Sequence, residues 1–436
     1  MTTLALLGGK PVRQKPFPPY NPIGDQEKQA VMEVMDSGVL SGFLGTWSPE
    51  FYGGPRVQKL EREWEVYFGV RHAVSVNSAT SALSVATGAT GVGPGDEVIV
   101  SPYTMTASVT CVLVWNAVPV FADILPDTFC LDPEAIRRAI SPRTKAIVVV
   151  DLFGHPFEAD EIMAVAREHN LKVIEDAAQA YGASYRGRPA GTLADIGVFS
   201  LNVHKTIHCG EGGVCVTNDD ELAERMQLIR NHAEVVVKDK GVQNIVNMIG
   251  SNLRMCEIEA AIASEQLKKV DSLVAARVDN AEYLTEQLRR FPGITPPVVS
   301  PGVRHGYYGY PVRYGASQTG VPRDLFVSAL RAEGIPTSIG YVKPIYLEPL
   351  YQQRIAYGTR GCPFTCPHNH ESAVSYEKGI CPVAERMHYE EWIGNGLIHK
   401  GVSKSDLDDI VRAYEKVLEA AHLLAGPRLD PAKIHH

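Results

Sequence analysis

The amino-acid sequence predicts an α/β protein built around a mostly parallel sheet, and three observations carry that expectation. Short apolar runs recur at Ala73–Val76, Val98–Val100, Val118–Phe121, Ala146–Val150, Val173–Ile174 and Ile196–Phe199, bounded by Gly, Pro, Asp or Asn. These runs do not alternate with polar residues, so both faces of each strand are expected to be buried, which requires helices on both sides of the sheet. Helical stretches separate several of the runs. In Asp160–His169, Ile162, Met163, Val165 and Ala166 fall at helical spacing. The third observation is length: 436 residues exceed the ~250–300 that a single core normally supports, so two domains are expected.

The remaining elements follow in chain order. From Glu257 to Arg290 no Pro or Gly interrupts the pattern, which predicts one long helix leading toward the second domain. His305–Tyr314 reads as a strand, Asp324–Glu333 as a helix, and Lys404 to about Leu424 as a closing amphipathic helix. The expected division is a large α/β domain with an N-terminal arm over 1–265, a smaller α+β domain over 266–425, and a disordered tail over 426–436.

Composition excludes several classes. A formal net charge of −8 argues against a nucleic-acid partner, because binding phosphates requires a basic face. No apolar stretch reaches the ~18 residues of a membrane span. The opening MTTLALLGGK lacks the basic start and full apolar run of a signal peptide, so a cytoplasmic location is expected. Eight cysteines in a chain this long do not form a disulfide framework. Cys362, Cys366, His368 and His370, with Cys381 further on, have the atom types of zinc ligands, but their spacing is not that of a zinc module. A proline-braced loop with no metal is the expectation.

Three segments carry chemistry. Asn77-Ser78-Ala79-Thr80-Ser81 follows a strand and opens a helix, where free backbone N–H groups and the helix dipole suit a phosphate. The plainer alternative is that Ser78 is only an N-cap. The second segment is Glu175-Asp176-Ala177-Ala178-Gln179. An Asp at the end of a buried strand is costly unless a cation pairs with it, and otherwise it would cap a following helix. The third is Ser200-Leu201-Asn202-Val203-His204-Lys205, closed by Gly210-Glu211-Gly212-Gly213. Lysines are usually solvated. One held in a glycine-locked loop at the carboxyl edge of a sheet is a candidate nucleophile, because burial lowers its pKa.

Together these segments resemble the DegT/DnrJ/EryC1/StrS family of sugar and cyclitol aminotransferases, which depend on pyridoxal phosphate and have fold type I. SATSAL is similar to that family's phosphate loop, EDAAQAYG to its strand-end motif, and FSLNVHKTIHCGEGG to its lysine loop. The resemblance extends over nearly the whole chain. It implies Lys205 as the Schiff-base and proton-moving residue, Asp176 at the pyridine nitrogen and Gln179 at the ring hydroxyl. It places Ser78, Ala79, Thr80 and Ser200 at the phosphate. Gly250-Ser251-Asn252-Leu253-Arg254-Met255 resembles a family motif whose Asn reaches the phosphate of the neighbouring subunit, so Asn252 implies a homodimer with shared sites. In Pro102-Tyr103-Thr104-Met105, Met105 stands where the family often has an aromatic stacked on the ring, and a thioether can cover it instead.

The function this implies is transfer of an amino group from glutamate or glutamine to a keto-cyclitol or ketosugar, in secondary-metabolite biosynthesis. An NDP-linked keto-deoxysugar as acceptor is the alternative. A dehydratase is disfavoured because Lys205 is present, whereas relatives with that activity carry His there. A non-transaminating oxidase or synthase remains open. A regulatory protein that has lost catalysis is disfavoured because Asp176, Gln179 and Lys205 are all intact. A nicotinamide-dependent oxidoreductase fails because no G-x-G-x-x-G follows an early strand.

Overall fold

The computed structural model describes residues 3–369 and 374–424. The expected tail at 426–436 and His370 lie outside those residues. The main sheet has seven strands: β1 (His72–Val76), β2 (Glu97–Val100), β3 (Val118–Phe121), β4 (Thr144–Val150), β5 (Lys172–Asp176), β6 (Ile196–Ser200) and β7 (Gly213–Thr217). Their order is β1-β7-β6-β5-β4-β2-β3. Strands β3, β2, β4, β5 and β6 pair in parallel, while β7 runs antiparallel between β6 and β1.

The non-alternating sequence is explained by where successive side chains go. Val98 and Val100 of β2 and Val148 of β4 enter one apolar cluster, beneath the helices Ala79–Ala89 and Ala107–Val114. Their neighbours Ile99, Ile147 and Val149 enter another on the opposite face, beneath Pro133–Ala139 and Ala159–Glu168. Near β7, a third cluster joins Val214, Val216 and Phe199 to Trp64 and Ala260 on the helices Pro55–Phe68 and Glu257–Leu267. Each buried Val or Ile contributes about 1.5–3 kcal/mol, so strands of this composition are stable only between two such layers.

A second sheet of four short antiparallel strands comprises Ile294–Thr295, Tyr310–Tyr314, Trp392–Asn395 and Ser338–Ile339, in that spatial order. Its core is filled by Leu284 and Leu288, by Phe326 and Leu330, and by Ile410 and Tyr414 from the closing helix. Leu4, at the beginning of the chain, also packs into this core. Among the described residues no helix is long and apolar enough to cross a membrane.

Three elements differ from expectation, the smallest difference being that the closing helix breaks at Ala420 into Lys404–Glu419 and Ala421–Leu424. The single helix foreseen over Glu257–Arg290 is two, Glu257–Leu267 and Val270–Leu288. Ala260 and Ala263 of the first pack in the cluster beside β7, while Leu284 and Leu288 of the second face the small sheet. The break falls at Lys268-Lys269, where Lys269 leaves the helix to pair with Glu27 at 2.5 Å, and tertiary packing overrides local propensity. The strand foreseen over His305–Tyr314 covers only Tyr310–Tyr314. Tyr307 has φ 49°, which no strand accommodates, and Gly306 N–H donates to Gly154 O instead of to a strand partner.

Candidate active site

The carboxyl edge of the main sheet brings the three chemistry-bearing segments together. Asp176 ends β5, opposite Val150 of β4 and Val198 of β6. Ser200 ends β6, opposite Gly213 of β7, and Gly213 in turn faces Val76 of β1. The helix that follows β1 therefore starts beside Gly213. A Cβ on Gly213 would lie 2.5 Å from Ser78 O, so only glycine lets the strand run this close beneath the helix start.

At that helix start Ser78 is the N-cap. Its Oγ accepts from Ser81 N–H and donates to Ser81 Oγ. The hydroxyl of Ser78 is thus already engaged, and the groups left for an anion are the backbone N–H groups of the first turn, Ala79 and Thr80. Ser200 is buried, its Oγ accepting from Asn202 N–H at 3.4 Å.

Asp176 is 5% exposed. Its Oδ2 accepts from Ser108 Oγ at 2.6 Å and its Oδ1 from Ala178 N–H at 3.1 Å. No helix follows it, so a helix-capping role does not apply. Burial raises its pKa, opposed by the Ser108 bond and by the charge of Lys205. A site that keeps this carboxylate ionised must bring a cation to it.

Lys205 sits on a tied loop. Leu201 N–H donates to Gly212 O, Val203 N–H to Gly210 O and Lys205 N–H to Asn202 O. Gly210 turns the chain at φ 94°, and the Tyr20 hydroxyl donates to Thr206 O from outside the loop. The Lys205 ammonium lies over the Tyr308 ring, 4.8 Å from its centre. Burial lowers its pKa, partly offset by Asp176. A lowered lysine pKa means a larger neutral fraction at working pH, as a nucleophile or general base requires.

Gln179 is buried, with both ends of its amide held. Its Oε1 accepts from Phe153 N–H at 2.8 Å and its Nε2 donates to Tyr341 Oη at 3.0 Å. Met105 lies three residues before Ser108 on the loop into Ala107–Val114, 58% exposed in the single chain. Asn252 is exposed in a bridge to Asn231, beside the segment whose Leu253 O accepts from Asn77 N–H.

Sequence reasoning missed Ser108, Tyr308, Phe153 and Tyr341. Ser108 lies three residues past Met105, in the first turn of the helix that follows that loop, and this proximity was the available signal. The others have none, because they reach the site from distant segments. Among the described residues, which include the cysteine-rich loop as far as Asn369, no group of three or more His, Cys, Asp or Glu is placed to hold a metal ion. Cys362 Sγ instead lies 3.9 Å from Asn116 Oδ1.

A buried carboxylate and a lysine of lowered pKa thus share one sheet edge with a helix N-terminus. The profile of the DegT/DnrJ/EryC1/StrS aminotransferase family matches residues 23–375. The chain belongs to that family. It is a pyridoxal-phosphate-dependent aminotransferase of fold type I. The chain is 35% identical to an L-glutamine:2-deoxy-scyllo-inosose aminotransferase of Streptoalloteichus tenebrarius, over 95% of this chain and 97% of that one. It is 40% identical to the GDP-perosamine synthase of Caulobacter vibrioides, over 90% and 95%. The X-ray structure of an aminotransferase from Psychrobacter cryohalolentis superimposes with TM-score 0.79 and 28% identity, covering 93% of this chain and all of the other.

The donor set of this aminotransferase fits the cofactor. An anionic carboxylate suits a protonated ring nitrogen, an amine suits an aldehyde, an amide suits a ring hydroxyl, and free N–H groups with a serine suit a phosphate.

Proposed function

We propose that this enzyme moves an amino group from glutamine or glutamate to the keto group of a cyclitol or ketosugar in secondary-metabolite biosynthesis, acting as a cytoplasmic homodimer. The observation that carries the chemistry is the pair of buried Asp176 and half-buried Lys205 at one sheet edge, each pulled from its ordinary pKa by desolvation. The substrate class rests on the relatives, among them the inosose aminotransferase.

Bound pyridoxal phosphate supplies the aldehyde that takes up the amino group and the ring that withdraws electrons from the reacting carbon. The protein's part is binding, orientation and proton movement. Ala79 and Thr80 N–H groups and Ser200 would hold the phosphate end. Asp176, kept in place by Ser108 and Ala178, would hold a proton on the ring nitrogen. Gln179 would meet the ring hydroxyl, and Met105 would cover a ring face. Lys205 would hold the aldehyde end through its Nζ, and the same amine, when free, would be the base that moves the proton at the donor's Cα.

The dimer is supported by apolar surface. Met32, Met35, Leu40 and Leu44 are exposed, as are Ile245, Val246 and Ile249. The chain just before the second stretch reaches the first, where Asn231 Nδ2 donates to Leu44 O, and Lys240 lies over the ring of nearby Trp47. Exposed apolar area of this kind marks an interface, and Asn252 borders it, as a residue serving a partner's phosphate would. A nucleotide-linked keto-deoxysugar is the second reading for the acceptor, favoured by 40% identity to the GDP-perosamine synthase.

The test adds L-glutamine or L-glutamate to the cofactor-loaded enzyme. Loss of the visible band with release of a 2-oxo acid is expected, and acceptors of both kinds can then be compared. A band that neither donor moves would overturn the transfer reading.

A further inference from the structure

Two non-glycine residues with left-handed backbones bracket Gln179. Phe153 has φ 58° and gives its N–H to Gln179 Oε1, while Tyr341 has φ 44° and receives Gln179 Nε2–H on its hydroxyl. Bulky residues avoid this region, and such outliers persist only where their surroundings over-determine them. Here the surroundings do so. Gly340, just before Tyr341, is also left-handed at φ 71°. Its carbonyl takes the Tyr103 hydroxyl at 3.0 Å and lies 2.7 Å from His388 Nδ1. The Tyr341 ring packs 4.8 Å from the Phe153 ring and 5.6 Å from the Tyr103 ring.

This arrangement fixes the amide's orientation. Phe153 N–H can only donate, so Oε1 must face it and Nε2 must face Tyr341. One of the two Nε2 hydrogens is then used, and the other has a single direction left. Burial raises the Tyr341 pKa, so the phenol stays neutral and keeps accepting across the working range.

We infer that Tyr341 is a positioning residue that acts through Gln179, holding the amide so that its second Nε2 hydrogen meets the cofactor's ring oxygen. The inference rests on the cofactor reading above. A donor to that oxygen lowers its negative charge and so weakens its hold on the proton it shares with the Lys205 nitrogen. Loosening the donor should therefore raise the pH at which the visible band titrates.

The experiment titrates the visible absorbance of the cofactor-loaded parent, Tyr341→Phe, Gln179→Ala and the double variant. Tyr341→Phe keeps the ring and its packing, so the apoprotein should melt within ~2 °C of the parent. The expected result is a midpoint raised by about 0.5 pH unit in Tyr341→Phe, more in Gln179→Ala, and no further rise when Tyr341→Phe is added to Gln179→Ala. The rate constant kcat should fall about 5–10-fold, with KM for the donor nearly unchanged. A Tyr341→Phe midpoint equal to the parent's overturns the inference, as does an equal shift in the Gln179→Ala background. If the parent forms no visible band, the cofactor reading falls first and the inference with it.

Discussion

Two pairs of opposite charge lie against the same sheet, and they are built in opposite ways. Arg230 and Glu61 touch: Nη1 lies 2.6 Å from Oε1, and the same carboxylate oxygen takes the N–H and Oγ of Ser75 on β1. The guanidinium also lies over Phe43 and donates to Ser75 O. Asp176 and Lys205 instead act on each other through charge alone. Asp176 spends its oxygens on Ser108 and Ala178, and Lys205 rests on the Tyr308 ring. The first pair neutralises itself and holds two elements together. The second leaves each member shifted from its ordinary pKa by burial, the condition in which a third group brought between them is bound and activated.

The largest effect expected is on the reactive member. Lys205→Ala should reduce transfer at least about 10⁴-fold and abolish the donor-dependent change in absorbance, while the melting temperature of the apoprotein stays close to the parent's. An active Lys205→Ala enzyme would remove Lys205 from the proton transfer and dissolve the contrast between the pairs.

Breaking the other pair should act on stability. Glu61→Ala leaves Arg230, whose side chain is fully buried, without its counter-charge, at a cost of about 3–5 kcal/mol in denaturant unfolding. Activity per folded molecule should change little. A cost below ~1 kcal/mol would show that the contact is not structural.

How far the sequence foretells these residues depends on how local their signals are. The strand runs, the helix start at Ser78, the strand-end Asp176 and the glycine-locked Lys205 loop each lie within one short segment, and each could be read directly. Ser108 meets Asp176 from 68 residues away and Tyr341 meets Gln179 from 162 away, pairings that no local pattern encodes. The helix break at Lys268 and the left-handed Tyr307 are likewise outcomes of packing between two cores, invisible to periodicity.

Asp176→Asn sharpens the comparison, because activity and stability should move in opposite directions. An amide can accept from Ala178 N–H and donate to Ser108 Oγ, so the site's shape should survive. It cannot hold a proton on the ring nitrogen, and transfer should fall about 10²–10³-fold. The pKa of Asp176 is raised on folding, so the native apoprotein binds its proton more tightly than the unfolded chain does. Between the ordinary Asp range near ~4 and the raised value, rising pH therefore costs the parent stability, and Asn is spared that cost. Apo Asp176→Asn should be more stable than the apo parent at neutral pH. The gain should vanish as pH falls below ~4.

The smallest effect is expected where ligand-type atoms are present without an assembled site among the described residues. Cys366 is half-buried, and Cys362 faces the Asn116 amide. The anchor of this loop is the buried Asn369, whose Oδ1 takes Gly95 N–H and whose Nδ2 donates to Pro363 O and Asn116 O. Neither thiol contributes to that anchor. Cys362→Ser with Cys366→Ser should therefore change stability by no more than about 0.5 kcal/mol, and a chelator should leave transfer and melting unchanged. Metal content by elemental analysis decides the matter independently. A stoichiometric ion lost in the double variant would mean that the loop orders around a metal, and that Asn369 is its scaffold.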